Sequence, residues 1–134
     1  MLRRVGVFVF ILTGCHVGTR AKTFAPARDA AGVDVAVALG DRRSLEGELL
    51  TVGDTALLLL SERGVVLVPA ALVRGVRLAQ RSDVLISAHD GKLGPREALD
   101  EARLLSRFPQ GLTPVLLRRL LAAYGQTDPH GVSR

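Results

Sequence analysis

Few reactive side chains in this 134-residue chain are grouped so that they could act together. The most informative is Cys15, the single cysteine. One thiol cannot close a disulfide within its own chain. Cys15 directly follows Leu12, Thr13 and Gly14, which follow an apolar run from Val5 to Ile11 and, before it, Arg3 and Arg4. Basic residues, then an apolar stretch, then small residues is the order of an export signal. The run is too short to span a bilayer, which takes about 20 apolar residues. The chemistry a cysteine offers at that position is thioether formation on its sulfur. The alternatives are a secretory signal cut without lipid attachment, or an ordinary N-terminal strand.

Leu12-Thr13-Gly14-Cys15 resembles the lipobox of bacterial lipoproteins: Leu, a small residue, Gly or Ala, then Cys. The resemblance implies signal-peptidase recognition of Leu12, Thr13 and Gly14, and cleavage before Cys15. It further implies a diacylglyceryl group on the Cys15 sulfur and an acyl chain on its new amine. One acyl chain binds a bilayer marginally, whereas several make a stable anchor. In proteobacterial lipoproteins an Asp after the cysteine retains the protein at the inner membrane. This chain has His16 there, which implies the outer membrane, facing the periplasm.

The other candidates are weaker. His16, His89 and His130 lie far apart, with no neighbouring Cys or His at the close spacing a metal site needs. Glu46 and Glu48 stand two apart on an expected strand, so both point to one face. A carboxylate pair does acid–base work when one member is desolvated; otherwise it marks the solvent side. Ser44, Ser61, Ser82, Ser87 and Ser106 lie in no nucleophile-elbow sequence. His89-Asp90-Gly91-Lys92-Leu93-Gly94 lacks the alternating acids of a calcium loop. No metal, no cofactor and no catalytic residue is expected.

The elements that would position these residues follow from composition and pattern. The chain is 48% hydrophobic with four Phe, one Tyr and no Trp, so its core must be aliphatic. Without Arg3 and Arg4, 16 basic residues face 13 acidic ones, a mild excess of +3. Val33, Val35, Val37 and Leu39 alternate with Asp34, Ala36 and Ala38, the period of a half-buried strand. A second strand is expected from Ser44 to Val52, bent at Gly47, and a third from Thr55 to Ser61 with four consecutive leucines. Glu62-Arg63-Gly64 makes a hairpin into Val65–Val68. A helical turn at Ala70–Val73 precedes a fifth strand, Gly75–Ala79. Val84-Leu85-Ile86 could add a short strand. Pro95 opens a helix to about Arg107. Thr113 caps a second, which Pro114 starts and Gly125 stops.

Leu45-Glu46-Gly47-Glu48-Leu49, Leu57 to Leu60 and Val65 to Val73 together resemble the SH3-like barrel, in its Sm-like arrangement. The fold class this implies is α+β, mainly β: a small five-stranded barrel followed by a C-terminal helical hairpin. The division is 1–14 signal, 15–31 tether, 32–81 barrel, 82–94 linker, 95–125 helical hairpin and 126–134 polar tail. The leucine run does not alternate, so part of it must face outward, and the hairpin is expected to cover it. Self-association through exposed strands competes for that surface.

The expected role is that of a lipid-anchored envelope protein that scaffolds or binds and is not an enzyme. Its partners are the membrane, through Cys15, and an envelope protein or polymer. Nucleic acid is not expected: export removes the chain from cytoplasmic RNA, and there are few aromatics on which bases could stack. A small Sm-like nucleic-acid-binding barrel is the alternative if the signal is not used.

Overall fold

The computed structural model describes residues 31–80 and 83–133. Leu12, Thr13, Gly14 and Cys15, the signal and the tether up to residue 30 lie outside the described residues. Eight strands and two helices follow: β1 (Asp34–Leu39), β2 (Ser44–Val52), β3 (Ala56–Ser61), β4 (Gly64–Pro69), β5 (Val73–Leu78), β6 (Val84–His89), β7 (Lys92–Leu93), α1 (Arg96–Leu105), α2 (Pro114–Ala123) and β8 (His130–Gly131). A 3₁₀ turn, Ala70–Leu72, joins β4 to β5.

The strands form one sheet in the order β7-β6-β5-β1-β2-β3-β4-β8. Neighbours are antiparallel, except that β8 runs parallel to β4. The expected five-stranded SH3-like or Sm-like barrel is therefore wrong. Closing such a sheet needs its two outer strands, β4 and β5, to pair with each other. Here β6 takes the second edge of β5, and β8 takes the second edge of β4. The architecture is an open, mainly β, mixed sheet with two helices. The nucleic-acid alternative drew on the barrel, and the open sheet removes that likeness.

The sheet buries both faces over β2, β3 and β4. Along β3, Leu57 and Leu59 point into a large core with Val35, Val37, Val68 and Val76. Leu58 and Leu60 point the other way, into a second cluster with Leu50 and Val65. Four leucines in a row thus serve two cores by simple alternation. In β2 the pairing with β3 shifts between Leu49 and Thr51. This bulge lets Leu49 and Val52 face the same core although they are three apart, while Leu50 faces the other. The bend assigned to Gly47 thus falls at Leu50.

The helices are not a hairpin packed on itself, because each covers one face of the sheet. Ala102 and Leu105 of α1 are buried in the large core, with Leu99 against it. Leu121 of α2 is buried in the second cluster, flanked by Leu117 and Leu120. The Thr113 hydroxyl accepts from the Leu116 N–H at 3.3 Å, and Pro114 occupies the first turn of α2. Gly125 ends that helix at φ +65.

Candidate binding grooves

The segment after α1 runs beside β2. Arg107 N–H donates to the Leu49 carbonyl and Phe108 N–H to the Leu50 carbonyl, both at 3.0 Å. This places the Arg107 guanidinium on Glu48. Its Nε donates to Oε1 at 2.7 Å and its Nη2 to Oε2, while Gly32 N–H also donates to Oε1. The Glu48 side chain is only 13% exposed and that of Arg107 26%. Glu48 is thus a structural anion that fixes the entry of β1 and the exit of α1 to one point of β2. Glu46, two residues away, stays exposed. The two carboxylates share a side of the strand but not an environment, and Glu48 has no free oxygen for proton transfer.

Arg103 makes a similar but more exposed clasp. Its Nε donates to the Val52 carbonyl at 3.1 Å, and its Nη2 meets Asp54 Oδ1 at 2.7 Å. It ties α1 to the β2–β3 turn. At the far edge, the Gln126 side chain imitates a strand. Its Oε1 accepts from Val65 N–H at 2.7 Å, and its Nε2 donates to the Val65 carbonyl at 3.1 Å. Gly64, at φ +106, is the neighbour that makes room, since a Cβ there would collide with the Gln126 amide. β8 continues this cover along β4, and Val132 N–H donates to the Leu67 carbonyl at 3.1 Å.

These clasps frame two grooves. The first, of about 440 Å³, has an apolar floor that includes Leu45, Leu59, Val66 and Val132. Arg43, Arg63, His130 and Glu46 stand around it. Arg43 is held in place, since its Nη2 donates to the Ser133 carbonyl at 2.6 Å and its Nε meets Asp41 at 2.5 Å. The Arg43 backbone N–H, and then its guanidinium, hold the Asp41 carboxyl below its ordinary value of 3.8. The second groove, of about 480 Å³, is acidic. Asp34, Glu46, Glu48 and Glu62 line it with Tyr124 at the end of α2.

The hydroxyls serve the backbone. Ser61 Oγ donates to the Gly64 carbonyl at 3.1 Å, and buried Ser106 Oγ donates to the Arg103 carbonyl at 2.7 Å. His89 pairs with Asp90 at 3.4 Å on the surface, and His130 stands at the first groove. Among the described residues no group of three His, Cys, Asp or Glu could hold a metal. Cys15 and the three residues before it, the sites expected from the sequence, lie outside the described residues. Sequence reasoning missed the Glu48–Arg107 pair and the Gln126 clasp. No local signal marks either, because their partners stand 59 and 61 positions apart in the chain.

The chain matches no protein-family model, no curated protein and no solved structure.

Proposed function

We propose that this chain is a lipid-anchored protein of the bacterial cell envelope that binds or scaffolds another envelope component and catalyses no reaction. The observation that carries the reading is Leu12-Thr13-Gly14-Cys15 behind a basic and apolar leader. Two features of the fold suit it. The first strand among the described residues begins at Asp34, which leaves residues 16–31 to serve as the tether between the lipid-bearing cysteine and the sheet. The groove with the apolar floor and the Arg43, Arg63 and His130 rim offers a binding surface. His16 after the cysteine directs the anchor to the outer membrane, on its periplasmic side, where the partner is an envelope protein or polymer.

The test is mass spectrometry of the mature N-terminus from bacterial membranes. The expected species begins at Cys15 and carries diacylglyceryl and acyl groups, and Cys15→Ser abolishes it. An intact Met1, or an unmodified Cys15 thiol, refutes the reading. A photo-crosslinker at Arg63, with one at exposed Val84 as control, would then identify what enters the first groove.

A further inference from the structure

We infer that the outward face of α2 rests on the anionic surface of the bilayer to which the chain is anchored. The inference deepens the anchored reading above and rests on it.

The argument begins with what α2 leaves exposed. Leu117, Leu120 and Leu121 face the sheet. The remaining wheel presents Val115, Leu116, Arg118, Arg119, Ala122 and Ala123, all exposed. Val115 is 50% exposed and Leu116 40%. A solvated helix face carries polar residues of both signs. The exposed side of α1 does so, with Arg96, Glu97 and Asp100. That of α2 carries four aliphatic residues, two arginines and no acid. This is the composition of a helix lying in a membrane interface, where aliphatic side chains enter the acyl boundary and arginines reach to headgroup phosphates.

Position agrees with composition. Asp34, where the tether joins the sheet, lines the same groove as Tyr124, at the C-terminal end of α2. The anchored end of the domain and this helix are therefore neighbours. The tether of residues 16–31 spans at most roughly 55 Å, so the face is held at high local concentration beside the bilayer and a weak contact suffices. The acidic groove meets α2 only at Tyr124, beyond its C-terminal end, and none of Val115, Leu116, Arg118 and Arg119 lines it.

The experiment uses the full chain with Cys15→Ser and Leu116→Trp. The chain has no other tryptophan, so the indole reports only this face. Because the leader's apolar run can bring the chain to any bilayer, bulk binding is not the readout. The indole's surroundings are. On vesicles of phosphatidylethanolamine with phosphatidylglycerol, its emission is expected to shift to the blue and to be quenched by brominated lipid. Each arginine at such a surface shifts the equilibrium about fivefold, so Arg118→Gln with Arg119→Gln is expected to lower it roughly 30-fold and abolish the shift. Val115→Trp repeats the measurement if Leu116→Trp misfolds.

Three results overturn the inference. The indole stays aqueous on vesicles that carry the chain; or it shifts equally on neutral phosphatidylcholine; or it shifts without lipid as protein concentration rises, which assigns the face to a second copy. Failure of the anchored reading looks different. An unmodified Cys15 with a lipid-shifted indole removes the anchor and keeps the face, whereas an acylated Cys15 with an aqueous indole removes the face and keeps the anchor.

Discussion

Gly47→Ala tests the packing of the sheet with one methyl group. A Cβ built at Gly47 lies 2.6 Å from the Leu60 carbonyl oxygen, 3.0 Å from its carbon and 3.3 Å from Ser61 N. Unstrained heavy-atom contacts sit near 3.5–4.0 Å, so something must move by most of an ångström. Leu60 cannot move alone, because it pairs with Glu48 on one side and with Val65 on the other. Relief therefore means parting β2 from β3 beside the Glu48–Arg107 clasp. Overpacking of this kind costs about 1–3 kcal/mol. Alanine's smaller unfolded-state entropy offsets about 0.4–1 kcal/mol, so the central expectation is a net loss of about 1.3 kcal/mol. At roughly 4–8 °C per kcal/mol for a domain near 100 residues, the melting temperature falls by about 5–10 °C. Gly131→Ala is the control, since nothing lies within 4 Å of its added Cβ. Thermal unfolding followed by circular dichroism measures both. If Gly47→Ala melts with the wild type while Gly131→Ala does too, β2 and β3 do not approach as described and the reasoning fails.

Arg107→Met leaves Glu48 half-buried without its two side-chain donors and should lower stability by about 1–3 kcal/mol, measured by urea unfolding. Arg43→Met, whose Asp41 partner is exposed, should cost less. Gln126→Ala strands the N–H and carbonyl of fully buried Val65, so the Val65 amide should exchange with solvent faster while the β1–β2 amides keep their protection. The Asp41 carboxyl is held low by Arg43, so its contribution is complete above the ordinary aspartate value of 3.8 and disappears as pH falls through the lowered value. An NMR titration should place the Asp41 midpoint below the ordinary aspartate value of 3.8, and an unshifted Asp41 would contradict the turn geometry.

The sequence disclosed local structure well and closure poorly. Val35, Val37 and Leu39 alternate and are buried, and Thr113-Pro114 starts α2 where capping chemistry requires. These signals are carried by neighbouring residues. Closure is not, since the 3₁₀ turn between β4 and β5 suits a closed barrel and an open sheet alike. The decision was made by residues outside the barrel-like span. Val84-Leu85-Ile86, read as a possible short strand inside a linker, opens a full strand, Val84–His89, on β5. His130–Gly131, read as polar tail, carries no hydrophobic alternation and is a strand only because β4 offers an edge. The Glu48–Arg107 pair spans 59 positions and becomes visible only once residues 106–108 are known to run beside β2. The leucine run did announce that its outward half needed cover, which Leu117, Leu120 and Leu121 supply, while Leu116 and Tyr124 are left 40% and 45% exposed.

The same edges bear on association. Pairing between copies through strands needs a long free edge on each molecule. β4 offers none from Val65 to Leu67, because Gln126, His130 and Gly131 already occupy it. β5 offers none either, since β6 covers it. The outermost strands, β7 and β8, are two residues each, too short to template a partner. Strand pairing between copies is thus confined, among the described residues, to the outer edge of β6, which β7 covers only at Ala88 and His89. The second face of the sheet is not available for association, because α2 lies on it. What the fold leaves uncovered is displaced by one layer, from the leucines of β3 to the outer side of α2. Two arginines at that surface, Arg118 and Arg119, repel their counterparts in a second copy and attract phosphate. The charge of the face thus argues for a lipid surface over self-association.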